Sequence, residues 1–270
     1  MGFMSLVFFS IIAGLIYSGI IYVTVPYKII DLKVAFGYLL GGSLAVAGVM
    51  GVHELFPWWL SLGHDLTVYL FDWSPIINLF KLQLENFIQV GFLEEFMKLG
   101  VFTLYGFVRT EKGDHPVATM FYMMMISMGF ALIENYAYAI GAFGSNAEYP
   151  YQTLIIRSFT ATLGHMIFGL ITGFWLALGR IPIGTYSRSW FDVVVNKTPT
   201  IRRWIFIVIG LVGATLFHGL YNFNFDTFGG AVMGIIYLQL TVGLLATSWC
   251  FKHINDTFRK SKKKKLTVSK

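Results

Sequence analysis

The chain has 270 residues, 56% of them hydrophobic and only 13% charged, with a mean hydropathy of +0.66 and a formal net charge of +6. Such a balance excludes an ordinary soluble domain and indicates one integral membrane domain. The basic excess does not point to nucleic acid, because eight of the 20 Lys and Arg fall between Lys252 and Lys270, where a tail meets the anionic lipid of an inner leaflet.

Apolar runs predict helices over 5–26, 34–52, 87–108, 117–142, 153–178, 203–225 and 229–251, each near the 20 or so residues that cross a hydrocarbon core. The expected fold is therefore an all-α, polytopic membrane helix bundle of about seven transmembrane helices. The first apolar run lacks a basic leader and a clear cleavage site and is read as a retained helix. Between helices two and three, His53 to Asn86 mixes Trp, charge and Leu and reads as interfacial or re-entrant, with an eighth span as the alternative. That segment is also a candidate gate over the mouth of any outer cavity. Residues 1–251 form the membrane domain, with 87–225 as its motif-bearing core, and 252–270 the basic cytoplasmic tail. Cys250, the single cysteine, excludes an intramolecular disulfide and reads as a buried small hydrophobe.

Alternating the seven spans puts 17 of the 20 Lys and Arg on one side, with Lys81 alone on the other and Lys98 and Arg157 inside spans. By the positive-inside rule the N-terminus is outside and the C-terminus cytoplasmic. Counted inward from the outer helix ends, Glu94, Glu95, Glu134, His165, His218 and Asn222 all fall roughly 6 to 20 Å deep at 1.5 Å per residue. Four separate helices thus bring polar groups to the outer half of the bilayer, where each carboxylate or lysine costs about 2.5 to 3.5 kcal/mol on insertion scales.

Within Glu94-Glu95-x-x-Lys98, the spacing of four puts Glu94 and Lys98 on one helical face, and Glu95 reaches Lys98 at a spacing of three. One ammonium can hold two carboxylates, either as an acid/base pair with separated proton affinities or as an internal salt bridge. Glu134 adds a third carboxylate on the next helix, a partner for that pair or for Arg157, which reads as a structural counter-ion. His165, and His218 with Asn222 one turn on, complete the set; Asn222 offers N–H donors to a developing oxyanion. His53-Glu54-x-x-Pro57 starts like a zincin helix but has Pro where the second histidine belongs, and no G-x-S-x-G elbow occurs. His53, His64, His115 and His253 are expected in loops or at membrane edges. Gly37/Gly41 and Gly169/Gly173 read as helix-packing notches.

Taken in order, Glu94-Glu95-x-x-Lys98, Gly129-Phe130-x-x-x-Glu134-Asn135, Arg157 with Gly164-His165-x-x-Phe168-Gly169, and His218-Gly219-Leu220-Tyr221-Asn222 resemble the PrsW-type intramembrane proteases, relatives of the CAAX-protease and bacteriocin-processing group. The resemblance covers Gly91 to Phe223, about half the chain. It implies hydrolysis of a peptide bond in a membrane-anchored protein, such as a single-pass anti-sigma factor in a bacterial cell membrane, by a glutamate-activated water without a metal. By position, Glu94 corresponds to the general base, Glu95 and Lys98 to groups that orient it, Glu134 or His165 to the water-holding partner, and His218 and Asn222 to oxyanion donors. Lys98 stands where the prenyl-protein proteases carry Arg, and Glu134 where they carry His, which argues against a prenylated substrate. Two alternatives remain: a zinc protease with His165, His218 and one glutamate as ligands, and a proton or cation pathway through the same residues, although no internal repeat is found.

Overall fold

The structure is a computed structural model that describes residues 3–24, 29–56, 86–108, 115–144, 150–181, 199–228 and 233–268. It is all-α. Among the described residues there are seven α-helices: α1 (Phe3–Thr24), α2 (Leu32–Leu55), α3 (Leu93–Val108), α4 (Pro116–Gly144), α5 (Pro150–Arg180), α6 (Pro199–Phe228) and α7 (Met233–Val268). A π-helical turn, Asn86–Phe92, runs directly into α3. Among the described residues, four helices are long and apolar enough to cross a membrane by length and composition, within α2, α4, α5 and α6.

Local sequence explains several boundaries. Proline occupies the first position of α4, α5 and α6, where its missing N–H costs nothing and its fixed φ suits the helix. Asp31 caps α2, its carboxylate accepting from the Lys33 and Val34 N–H groups at 2.9 and 3.4 Å. The last carbonyls of α5 are capped from the next helix, since Arg202 donates to Ile181 O at 2.9 Å and Leu178 O at 3.1 Å. The helix end at 251 expected from hydropathy is not a break: α7 continues through the lysine-rich stretch to Val268.

α4 is the hub of the bundle. Its candidate span is 89% buried, against 39% for those of α2 and α6. Met120, Met123, Met124 and Met128 fill the irregular space around it. Small residues let its neighbours approach: a Cβ on Gly42 of α2 would run into the Ile126 carbonyl, and one on Gly129 of α4 into the Leu39 carbonyl. The expected notches are seen, Gly37 and Gly41 facing Tyr105 and Val101 of α3, and Gly169 and Gly173 facing α4. Tyr38 joins α2, α3 and α4, stacked on Phe102 at 5.3 Å and Tyr122 at 5.0 Å. On the outside, Leu44, Leu104, Trp204, Val208 and Leu245 are exposed, as a lipid-facing surface requires.

Of the segment read as interfacial, His53 to Leu55 belong to the last turn of α2 and Asn86 opens the π turn; 57–85, with His64 and the candidate gate, lies outside the described residues. Two of the histidines expected in loops or at membrane edges lie on helices, His53 in the last turn of α2 and His253 in α7 beyond its apolar part, the latter stacked on Trp249 at 4.9 Å. His115 is not merely solvated either: its Nδ1 accepts from the Val117 N–H at 3.2 Å and caps α4.

Candidate active site

Two local devices set the stage. The π turn delivers α3 so that Glu94 and Glu95 lie in its first helical turn, a use of π geometry common at functional sites. Phe87 of that turn sits against Gly219, where a Cβ would strike its ring. This contact sets α3 beside His218 of α6. Glu134 and Asn135 come from the second half of α4, Arg157 and His165 from the first half of α5. The polar groups therefore gather toward the end of the bundle where α3 and α5 begin and α4 and α6 end.

Nearly all are buried: Glu95 and Lys98 are 0% exposed, His218 1%, His165 3% and Glu94 6%, while Glu134 is partly buried. Buried polar groups need partners, and here they form a continuous chain across four helices. The Lys98 ammonium donates to Glu95 Oε1 at 2.7 Å and lies 3.5 Å from Glu94 Oε2. It also meets His165 Nδ1 at 2.9 Å and stands 4.2 Å over the Phe130 ring. Because an ammonium can only donate, His165 Nδ1 must accept, which puts the imidazole proton on Nε2. Nε2–H then donates to Glu134 Oε2 at 2.7 Å. The other oxygen of Glu134 pairs with Arg157 at 3.0 Å. Arg157 is fixed in turn by Asn135 Oδ1 at 3.2 Å and by the Tyr138 ring, 3.5 Å from its guanidinium carbon, while Asn135 donates to Thr162 at 2.9 Å.

On the far side of Lys98, His218 Nδ1 donates to Glu95 Oε1 at 2.9 Å. A carboxylate can only accept, so the tautomer follows and the ring is turned with Nε2 3.8 Å from Glu94 Oε2. Phe168 stacks on His218 at 4.7 Å with the planes 19° apart, closing its other face. Glu94 Oε2 and Glu95 Oε2 are buried and accept no hydrogen bond. Three carboxylates against Lys98 and Arg157 leave one negative charge, to be balanced by a proton or a cation.

The structure thus joins Glu94, Glu95, Lys98, Glu134, Arg157, His165 and His218. Of the two readings of Glu134, the pairing with Arg157 is seen directly, and its other oxygen meets His165, which links it to Lys98 rather than to the Glu94-Glu95 pair itself. Asn222 lies one turn beyond His218, half-buried, and among the described residues no hydrogen bond ties it to the cluster. Sequence reasoning missed Asn135 as the holder of Arg157, and Phe168 as the platform for His218. The signals were an Asn adjoining an intramembrane Glu and an aromatic residue one turn from an intramembrane His.

The donor atoms of Glu94, His165 and His218 lie within 4.8 Å of one another, a spacing that brings three metal ligands together. In the present arrangement they do not fit an ion. Both nitrogens of His165 are engaged, so it must release Lys98 or Glu134 to ligate. The Lys98 ammonium already lies beside Glu94 and His165, where a dication would be repelled.

Residues 31–247 match the family described as PrsW family intramembrane metalloprotease. The chain belongs to the PrsW family. It is 24% identical over 166 residues to protease PrsW of Shouchella clausii, covering 62% of this chain and 66% of that protein. To protease PrsW of Oceanobacillus iheyensis it is 25% identical over 173 residues, 64% and 69% of the two chains. The protease PrsW of Bacillus subtilis is 25% identical over 138 residues, 51% of this chain and 52% of that protein. No solved structure matches. The match contains every residue of the buried cluster, so the cluster belongs to the part of the chain that defines the family.

Proposed function

We propose that this PrsW-family protein hydrolyses a peptide bond of a membrane-anchored protein, with Glu94 as the base that activates water. The observation that supports it is Glu94 Oε2, a buried carboxylate oxygen with no hydrogen bond of its own, facing His218 Nε2 and held near a fixed ammonium. A carboxylate excluded from bulk water and left with a free lone pair is suited to take a proton. In the proposed step Glu94 takes a proton from water, and the hydroxide oxygen bonds to the scissile carbonyl carbon. The carbonyl oxygen becomes an oxyanion, for which His218 Nε2, when protonated, and the Asn222 amide are the donors. Glu94 then returns the proton to the amide nitrogen as the C–N bond breaks, leaving a new carboxylate and a new amine. Glu95 and Lys98 fix His218 and Glu94, and Glu134 with Arg157 fixes His165.

All seven helices cross the membrane in this reading, with the N-terminus outside, the C-terminus cytoplasmic and the site in the outer half. The substrate is a single-pass regulator cut near the outer end of its span. The basic end of α7 rests on anionic lipid; a cavity of about 530 Å³ at that end, lined in part by Arg180 and Arg203, fits the same environment. Salt-insensitive sedimentation of the purified protein with anionic nanodiscs would contradict that contact.

The test is co-expression of single-span reporters with wild type or Glu94→Gln protein, with product ends mapped by mass spectrometry. Cleavage near the outer end of the span, lost in the variant, is the expected result. Proteoliposome ion flux abolished by Glu94→Gln, with no wild-type-dependent product from any reporter, would replace this reading with a transport function. A second reading, metal-dependent hydrolysis, is favoured by the family's description and requires His165 to give up Lys98 or Glu134 before it, Glu94 and His218 could ligate. Stoichiometric zinc that leaves the active protein together with its activity would establish it.

A further inference from the structure

Behind the catalytic cluster lies a second cavity, of about 460 Å³, between α5, α6 and α7. Its wall on the cluster side is Phe168 and Tyr221. Phe168 is the ring stacked on His218, so one aromatic ring separates cavity and catalytic group. The two hydroxyls on the wall are engaged elsewhere. The Tyr221 hydroxyl donates to Thr160 at 3.1 Å, and the Thr247 hydroxyl donates to its own helix at Gly243 O, 2.7 Å away. With no hydrogen-bonding handle left on these groups, the cavity suits an apolar occupant.

Its direction and opening say which one. Along α7 the lining runs from Leu238 to Cys250, roughly 18 Å at the helical rise, leading from the level of the cluster toward the basic end of the bundle. Leu238 and Val242 line it and yet are more than half exposed on the outer surface, so the cavity is a groove open sideways to the bilayer. A spanning segment cut at the cluster continues through the membrane in this direction, beside α7. A free acyl chain would also fit the apolar wall, but the shared Phe168 places the groove in line with the scissile bond.

We infer that this groove binds the apolar residues of the substrate span that follow the scissile bond into the bilayer, and that Val242, Ala246 and Cys250 of α7 set their preferred size. The inference rests on the proteolytic reading above. It assigns α7 a role in selecting substrate, with bulky apolar side chains favoured on the membrane side of the cut.

Cys250 is the chain's single cysteine and a free thiol in the groove, which provides the experiment without altering the enzyme. Single-span reporters with a leucine–alanine span and one glycine break, each carrying one cysteine at successive positions, are reconstituted with the wild-type protein and oxidised with dithiodipyridine. Disulfides to Cys250 are expected at a few adjacent positions on the membrane side of the cut, and also with Glu94→Gln protein. Cleavage without a cross-link at any position, or with cross-links spread evenly along the span, overturns the groove and leaves the protease. Position-specific cross-links without cleavage support the groove as a helix-binding site and overturn the protease. Ala246→Trp is expected to raise KM for a cleaved reporter about tenfold; an effect confined to kcat would count against a binding role.

Discussion

Lys98→Met is the most informative perturbation of the cluster. The methionine keeps an apolar stem of similar length and deletes the ammonium, its charge together with its N–H donors to Glu95 and His165. In the wild type, the ammonium lies 2.7 Å from Glu95 and 3.5 Å from Glu94, with Lys98 and Glu95 fully buried. At an effective dielectric of about 20 those separations correspond to about 6 and about 5 kcal/mol of attraction, most of it offset by desolvation. Removing one partner of a buried pair leaves the other charge uncompensated and costs about 3 to 5 kcal/mol. The assay is equilibrium unfolding in mixed micelles of wild type, Lys98→Met, Glu95→Gln and the double variant. Lys98→Met is expected to lose those 3 to 5 kcal/mol, and the double variant to recover about half, because the stranded carboxylate is gone. Neither is expected to cleave, since Glu94 loses its neighbouring cation in both and, in the double variant, His218 Nδ1–H faces a neutral amide instead of a carboxylate. A Lys98→Met protein within about 1 kcal/mol of wild type would refute the view that this ammonium holds the carboxylates in the fold.

Glu94→Gln is expected to lower kcat by at least about 10³-fold with unfolding stability unchanged or raised, because it removes the excess negative charge; rate and unfolding midpoint are read on the same preparation. Arg157→Lys is expected to destabilise by about 1 to 3 kcal/mol, since an ammonium cannot reproduce the guanidinium fork that holds Glu134 at 3.0 Å and Asn135 at 3.2 Å. An unfolding midpoint equal to wild type would show the fork to be dispensable. Gly129→Ala drives a Cβ into the Leu39 carbonyl, whereas Gly141 has nothing within 4 Å. The first is therefore expected to cost about 1 to 3 kcal/mol and Gly141→Ala to cost nothing, judged by thermal unfolding of the two proteins side by side.

The helices were legible because apolar runs in a membrane protein are long and their polar interruptions few. Hydropathy marks where a helix leaves lipid, however, and not where it ends: the lysines after Lys260 are good helix formers, so α7 continues well beyond its apolar part. The pairing of Glu94 and Glu95 with Lys98 was readable from helical spacing alone. The bridge from Lys98 through His165 to Glu134 was not, because it depends on how α5 is rotated against α3 and α4. That rotation is set by Gly169 and Gly173 nesting on α4, a contact between elements that no local pattern specifies. Asn135 escaped for a related reason, its task being defined by Arg157, 22 residues away on another helix. The role of Asn222 was read from its position beside His218, and among the described residues it is still without a bond to the cluster.

The same chain of contacts that would serve catalysis also ties the helices together, and this constrains how such a site can operate. From Arg157 to His218 each group holds the next, charged groups alternating with neutral imidazole, so removing a link leaves a polar or charged group inside the bundle without its partner. The links span α3, α4, α5 and α6, and the cluster cannot form before those helices have packed. Among the fully buried oxygens of this set Glu94 Oε2 and Glu95 Oε2 accept no hydrogen bond, and of the two Glu94 Oε2 faces an imidazole nitrogen that no described hydrogen bond occupies, His218 Nε2. The excess negative charge therefore has its natural outlet between Glu94 and His218. A proton arriving there completes a neutral, buried set; a substrate carbonyl arriving there meets the one carboxylate oxygen the fold has not already used with a donor beside it. A base held in reserve by a network that fixes its neighbours is what hydrolysis inside lipid demands, because an unsupported charge would otherwise be neutralised by the surroundings before it reached the substrate.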